Sequence, residues 1–257
     1  MTGAMAFYRT ILATLSSICR IGLYASVWSV VSCTQAKLPV APSVANAPTQ
    51  LLIEVPSSIR VGLTKSVLAR RMRNGTSRVV TADWSTDAPQ TLLAKDGSIS
   101  GMAAGSATLS ARYEGAETSS PVTVVPDTAG LWTGQMKLIA CTRESGGAPN
   151  PCDREVGVIQ PYSLSLSNEG APVTGSMRFF NNAVTGSIEG TVGIDGEINL
   201  SGQLTNAEIQ EVIAGWRSRI QNGTWIPDQM ISRSSFTNLF GPQVLRRTWT
   251  FVEVTRR

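Results

Sequence analysis

The sequence contains no histidine, and only 16% of its 257 residues are charged. Histidine is the side chain that most often serves as a general base and is a common zinc ligand, so its absence removes the usual catalytic triads and most zinc sites. Hydrolysis would then need paired carboxylates or a Ser–Lys arrangement, and the sequence shows no phosphate-binding loop or nucleophile elbow. We therefore expect a protein that is not an enzyme and that holds no metal or cofactor.

Aromatic residues are also scarce, at 6%, whereas the chain has 23 glycines and 13 prolines. This composition is typical of β-structure, and the chain is long enough to bury one large core or two small ones. The net charge of +4 is not concentrated, because basic runs such as residues 70–73 and 246–247 are short. Without a basic patch, the sequence predicts no binding to nucleic acid.

An apolar run, IGLYASVWSVVS, occupies residues 21–32. It is too short to span a bilayer and has the length of the apolar part of an export signal. Cys33 follows directly after Val-Val-Ser, an order that resembles the bacterial lipoprotein signal. The resemblance implies that residues 1–32 are a signal peptide and that Cys33 is lipidated. Residues 33–49, rich in proline and alanine, would then be a tether that links the protein to the membrane.

Two other interpretations of this region stay open. Cleavage near Ala36 would release a soluble secreted protein. Residues 11–32 together are long enough for a retained membrane helix, although Arg20 near its middle would cost about 2.5–3.5 kcal/mol on insertion scales. Since Thr34, rather than an aspartate, follows Cys33, resemblance to the enteric sorting rule favours the outer membrane over the inner one. We expect an exported protein of the cell envelope.

Two cysteines remain for the body of the exported protein. Cys19 falls in the predicted signal peptide and Cys33 is the predicted lipidation site, which leaves Cys141 and Cys152. They bracket the turn-rich segment TRESGGAPNP. In the oxidising compartment that export implies, two cysteines that close such a loop are expected to form a disulfide.

Residues 50–126 contain short apolar runs separated by turn signals, among them Asn74-Gly75 and Asp96-Gly97. Such a pattern predicts a β-sandwich. The segments IEVPSSIRVGLTKSVLA, VVTADWSTD, AKDGSISGMAAGSATLSARYEG and SPVTVV resemble a bacterial Ig-like domain of group 2. The resemblance implies that Trp84 fills the core between two sheets, and that the domain is a spacer or an adhesive module without catalytic residues.

Residues 127–257 show cleaner alternation, for example Leu164 and Leu166 between serines. About eight such runs, joined by hairpin turns such as Asp195-Gly196, fit an up-and-down β-barrel. A second sandwich is the main alternative. The segment LTNAEIQEVIAGWRSRI, residues 204–220, could equally be a helix.

One pair of motifs in this C-terminal part resembles lipocalins. GLWTGQM near its start and VLRRTW near its end are similar to the lipocalin pairing of Gly-x-Trp with an arginine on the closing strand. The resemblance implies that Trp132 is buried and that the guanidinium of Arg246 or Arg247 lies against its indole, closing the base of the barrel.

These features predict an envelope-anchored, non-catalytic lipoprotein in which an Ig-like module displays a barrel that binds a partner. A cell-surface protein or a glycan would fit as that partner. The alternative is a carrier of an apolar small molecule inside the barrel. Inner-face glycines could leave the volume for it, or could instead allow a small, filled barrel to coil; they are Gly134, Gly186, Gly190 and Gly202.

Overall fold

The computed structural model describes residues 49–181 and 183–257. The predicted signal peptide, Cys33 and the tether up to residue 48 lie outside the described residues. Among the residues that are described, no helix is long and apolar enough to cross a membrane.

Within the part of the chain that the structure describes, ten strands precede the barrel. In chain order they are β1 (Gln50–Glu54), β2 (Ser58–Arg60), β3 (Thr64–Ser66), β4 (Leu68–Arg73), β5 (Thr76–Val80), β6 (Asp83–Thr86), β7 (Leu92–Lys95), β8 (Ser98–Gly101), β9 (Gly105–Tyr113) and β10 (Ala116–Val125). They form three sheets, with the strand orders β1-β4-β5, β2-β10-β9-β6 and β3-β8-β7. We call this part, residues 50–125, the N-terminal module.

The two turns predicted from the sequence are present in this module. Asn74-Gly75 joins β4 to β5 and Asp96-Gly97 joins β7 to β8, and all four residues have positive φ. Trp84 is half-buried rather than enclosed. It packs against two hydrophobic clusters, one that includes Ile59 and one that includes Leu51.

The C-terminal part is a closed antiparallel barrel, as predicted. Its strands are β11 (Gly130–Ser145), β12 (Ile159–Asn168), β13 (Pro172–Phe179), β14 (Val184–Val192), β15 (Glu197–Thr205), β16 (Ile209–Gln221), β17 (Thr224–Asn238) and β18 (Gly241–Arg256). Each strand pairs with the next, and β18 pairs with β11. This up-and-down architecture is compatible with a lipocalin-like barrel. The helix considered for residues 204–220 is wrong, because that segment forms the end of β15 and most of β16.

Large side chains fill the interior of the barrel. Trp132, Trp216, Trp225 and Trp249 are each at most 4% exposed. The ring centroids of Trp132 and Trp225 are 5.1 Å apart, and Trp216 stacks on Phe251 at 4.8 Å. Such contacts are typical of a packed aromatic core.

The inner-face glycines allow neighbouring strands to approach closely. A Cβ atom on Gly190 would lie 1.8 Å from the carbonyl oxygen of Asn199, and one on Gly186 would lie 2.0 Å from that of Gln203. No side chain fits at these distances. The glycines therefore favour the interpretation in which they permit tight coiling of a filled barrel.

The barrel has two ends, which we call proximal and distal. The proximal end carries the turns at residues 169–171, 193–196 and 222–223, and the distal end carries the loop at residues 146–158 and the turns at 206–208 and 239–240. The N-terminal module contacts the proximal end. There the backbone N–H of Ala171 donates to Ser58 Oγ at 2.9 Å, and Lys65 Nζ lies 2.6 Å from Glu169 Oε2.

Candidate functional site

A cluster of buried polar side chains lies inside the distal half of the barrel. Glu211 on β16, Ser232 and Ser234 on β17, and Arg247 on β18 all point inward, because the strand register pairs Glu211 with Ser234 and Ser232 with Arg247. None of the four is more than 5% exposed. Charged residues are rarely this buried unless they are paired, so the cluster is the most distinctive chemical feature of the interior.

The four side chains form one hydrogen-bond network. Arg247 Nη1 donates to Glu211 Oε2 at 3.3 Å and also to Ser234 Oγ. The hydroxyl of Ser232 donates to the other carboxylate oxygen of Glu211, and Trp249 Nε1 donates to Ser232 Oγ at 3.1 Å. The network thus connects the buried ion pair to the aromatic core.

Burial raises the pKa of Glu211 above its ordinary value. The neighbouring Arg247 guanidinium and the hydrogen bond from Ser232 act in the opposite direction, but desolvation is the largest influence. The carboxyl of Glu211 therefore takes up a proton more readily in the folded protein than in solution.

A short helix in the distal loop reaches over this cluster. Helix α1 (Cys152–Glu155) carries Glu155, whose Oε2 accepts hydrogen bonds from Arg247 Nε at 2.9 Å and Nη2 at 2.6 Å. The predicted disulfide is present between Cys141 and Cys152 and joins this loop to β11. Because Cys141 pairs with Arg247 across the strands, the disulfide places the helix directly above the arginine.

The guanidinium of Arg247 is enclosed on its remaining side by an aromatic ring. Its central carbon lies 5.6 Å from the ring centroid of Phe180. The guanidinium of Arg247 thus has four partners, namely Glu155, Glu211, Ser234 and Phe180. The charged and polar groups of the cluster are hydrogen-bonded to one another, so the cluster offers no free reactive group. Within the described ranges, no set of three or more potential metal ligands occurs.

The predicted closure of the barrel by Trp132 needs a correction. Trp132 is buried, as expected, but the cation against its indole is Arg256, with its central guanidinium carbon 5.2 Å from the ring centroid. Arg246 and Arg247 were the wrong partners. In the antiparallel pair of β11 and β18, Trp132 is opposite Arg256, whereas Arg246 and Arg247 are opposite Thr142 and Cys141 at the other end of the strands.

Sequence reasoning did not identify Glu155, Glu211, Ser232 or Ser234 as members of a site. One signal was available for Glu211, which lies between Ile209 and Ile213 on the inner face of β16. A carboxylate at an apolar position of an alternating strand indicates a buried charge, and a buried charge requires a partner. The partner could not be chosen without the strand register.

No family model matches the chain. No curated protein matches it either. A crystal structure of a structural-genomics protein of unknown function from Bacteroides ovatus, at 2.40 Å resolution, is similar with a TM-score of 0.24 and 6% identity, covering 81% of this chain and 100% of that one. A TM-score of this size carries no argument.

Proposed function

We propose that this protein is a non-catalytic lipoprotein of the bacterial cell envelope, in which an Ig-like N-terminal module presents a lipocalin-like barrel to a partner. Cys33 is the proposed lipid anchor, in the outer membrane, and residues 33–49 are the proposed tether. The sequence order Val-Val-Ser-Cys after a short apolar run supports the anchor.

The display function is supported by the end of the barrel at which the N-terminal module makes its contact. The N-terminal module lies between the proposed anchor and the barrel in the chain, and it contacts the barrel at the proximal end through Ser58 and Lys65. The distal end, with the disulfide loop and the hairpin tip at Leu239, is the opposite end. Leu239 at that tip is 99% exposed.

The disulfide between Cys141 and Cys152 supports export. Structural disulfides persist in oxidising compartments and are rare in the reducing cytosol. In this chain the bond also holds the helix that carries Glu155, so loss of the bond would disturb the distal end. Folding in an oxidising compartment is therefore part of the proposal.

The alternative of a carrier for an apolar molecule is not favoured by the packing. A carrier needs interior volume, whereas the inward positions of this barrel hold four tryptophans in contact with one another or with phenylalanine rings. At each glycine that could have left volume, the backbone of the neighbouring strand occupies the space that a side chain would need. We therefore do not propose a carrier function.

The anchor is tested by a Cys33→Ser variant of the full chain, expressed with an alkyne-labelled fatty acid. We expect the wild-type protein to incorporate the label and partition into detergent, and the variant to do neither. A matched Cys19→Ser variant should behave as the wild type, because Cys19 lies in the proposed signal peptide. Incorporation of the label by Cys33→Ser would overturn the proposed anchor, and membrane retention of an unprocessed variant would show a retained helix instead.

A further inference from the structure

The loop that covers the distal cluster contributes almost no apolar side chains to the barrel core. We call this loop, residues 146–158, the distal lid. Within this range, which the structure describes throughout, Cys152 is the only buried residue, whereas Val156 is 54% exposed and Val158 is 38% exposed. Segments with few buried apolar contacts open at a lower free-energy cost than core strands do. The distal lid is therefore held closed by specific bonds rather than by packing.

One covalent bond and one ion pair hold the middle of the distal lid. The disulfide between Cys152 and Cys141 ties helix α1 to β11, and Glu155 on the same helix accepts hydrogen bonds from Arg247. The side chain of Glu155 is 31% exposed, and an ion pair that reaches solvent contributes little by itself. Closure of the distal lid therefore depends mainly on the disulfide.

The two ends of the distal lid are joined to the barrel independently of the disulfide. At its start, two barrel side chains donate hydrogen bonds to the carbonyl of Gly147, at 2.7 and 3.2 Å. At its end, the backbone N–H of Gly157 donates to the carbonyl of Leu138 at 2.8 Å. Gly146 and Gly157 have positive φ, and glycines at such positions can absorb the dihedral changes of a hinge. Residues 148–156 can thus move away from the barrel while both ends stay attached.

Movement of these residues would uncover one edge of the Arg247 guanidinium. Arg247 donates from Nε and Nη2 to Glu155 of the distal lid, and from Nη1 to Glu211 and Ser234 of the barrel. With the distal lid closed, the side chain of Arg247 is only 6% exposed. Departure of Glu155 leaves Nε and Nη2 facing solvent at the distal end, while Nη1 keeps its partners in the barrel.

We propose that the distal lid is a redox-controlled cover, and that reduction of the disulfide between Cys141 and Cys152 releases it and exposes Arg247. The reductant is an external protein dithiol. Its thiolate attacks the sulfur of Cys141, which is partly exposed whereas Cys152 is buried. A mixed disulfide forms as the bond between the two cysteines breaks, and Cys152 leaves as a thiolate that takes up a proton.

The second thiol of the donor completes the reaction. It attacks the mixed disulfide, so the donor leaves as its own disulfide and Cys141 also becomes a thiol. Two electrons and two protons pass from the dithiol to the protein. This inference rests on the proposed function, because an exported chain meets an oxidising compartment in which the disulfide persists. In that setting the distal lid is closed until a dithiol opens the end of the barrel that the N-terminal module leaves free.

Chemical modification of arginine tests the release on the full chain, extracted from the envelope in detergent. Phenylglyoxal reacts with accessible guanidinium groups, and mass spectrometry locates the modified residues. We expect Arg247 to react at least about tenfold faster in protein that has been reduced by dithiothreitol and freed of it than in oxidised protein. Arg246 is exposed and adjacent, so it should react equally in both states. An unchanged rate at Arg247 overturns the proposal.

Tryptophan fluorescence distinguishes release of the distal lid from unfolding of the barrel. The four tryptophans of the barrel are buried, so their emission should be the same in the oxidised and the reduced protein. A red shift that accompanies modification of Arg247 would mean that the barrel itself opens, and it overturns the proposal. Reoxidation should restore slow modification, and a rate that stays fast after the disulfide has re-formed overturns it equally. Lipid labelling of Cys33 is independent of all these results.

Variants separate the disulfide from the ion pair. Cys141→Ser/Cys152→Ser should be modified at Arg247 as fast as the reduced protein, without any reductant. Oxidised Glu155→Gln keeps the disulfide, so its rate should stay within about threefold of the wild-type rate. The matched control Arg154→Gln, on an exposed position of the same helix, should behave as the wild type. A rate for oxidised Glu155→Gln equal to that of the reduced protein would assign closure to the ion pair and overturn the redox control.

Discussion

At the scale of single residues, the buried pair of Arg247 and Glu211 determines how the barrel interior responds to pH. Removing two charges from water is costly, and the cost is offset only when both groups are well hydrogen-bonded. Here Arg247 is bonded to Glu155, Glu211 and Ser234, and Glu211 is bonded to Ser232. Replacing one member of this network should therefore lower the free energy of unfolding more than breaking an exposed ion pair does.

The raised pKa of Glu211 predicts a specific pH dependence. The folded protein holds this proton more tightly than the unfolded chain, so the carboxyl favours folding below its ordinary pKa of 4.5 and loses that contribution as the pH rises through the raised value. In Glu211→Gln the group no longer titrates. Urea unfolding between about pH 4 and pH 8 should show the stability of wild type relative to the variant falling as the pH increases. Parallel pH profiles for the two proteins would contradict the assignment.

Trp132 and Arg256 give a second prediction at this scale. Trp132→Ala removes a buried ring and should lower the free energy of unfolding of the barrel by about 3–5 kcal/mol. Arg256→Gln removes the cation over that ring together with the ion pair between Arg256 and Asp127, and should cost about 0.5–2 kcal/mol in total. Arg246→Gln is the matched control and should stay within about 0.5 kcal/mol of wild type, because its side chain is exposed. A larger loss of stability from Arg246→Gln than from Arg256→Gln would instead favour the pairing of Trp132 with Arg246 that the sequence predicted.

At the scale of elements, β16 shows why the sequence pattern was ambiguous. Its inward apolar residues Ile209, Ile213, Trp216 and Ile220 are spaced by four, three and four positions, which is the spacing of a helix face. The cause is a register shift between Ile213 and Gly215. After this shift, the side chains that point inward come one residue later than strict alternation would place them. A bulge of this kind interrupts strand alternation without ending the strand.

The strands without such shifts could be predicted from alternation alone. β12 keeps a period of two along its length, and the sequence identified its alternation of Leu164 and Leu166 with serines. The distal cluster could not be predicted in the same way, because it depends on which inward positions of β16, β17 and β18 are adjacent. That adjacency is set by the strand register. For the same reason, the lipocalin-like motif predicted Arg246 or Arg247 as the cation against Trp132, about one strand length away from Arg256.

The inner-face glycines allow a controlled test of strand coiling. In Gly190→Ala the new methyl group would collide with the carbonyl of Asn199, so we expect a loss of about 1–3 kcal/mol or more in the free energy of unfolding. Gly215→Ala is the control, because nothing lies within 4 Å of a Cβ at that position. It should be neutral or slightly stabilising. Equal stability of the two variants, measured by urea unfolding, would show that the strands do not approach as described.

At the scale of the whole molecule, a short linker orients the barrel relative to the N-terminal module. Asn168 holds this linker: its Oδ1 accepts the N–H of Thr128 at 3.1 Å, and its Nδ2 donates to the carbonyls of Pro126 and Gly170, each at 3.2 Å. The side chain is only 3% exposed. The contact is mostly polar and local, which is typical of an interface between domains that have separate cores.

Gly170 lies at the tightest point of this contact and provides the test of it. A Cβ at residue 170 would lie 2.4 Å from Ser58 Oγ and 2.7 Å from the Ser58 carbonyl oxygen, so Gly170→Ala should push the module away from the proximal end. Because the clash is with the module and not with the barrel core, the free energy of unfolding of the barrel should change by less than about 0.5 kcal/mol. Small-angle scattering should show a larger radius of gyration for Gly170→Ala than for wild type, and no change for Gly215→Ala. An unchanged scattering profile for Gly170→Ala would mean that Ser58 can yield locally, and that the contact does not fix the orientation in which the barrel is displayed.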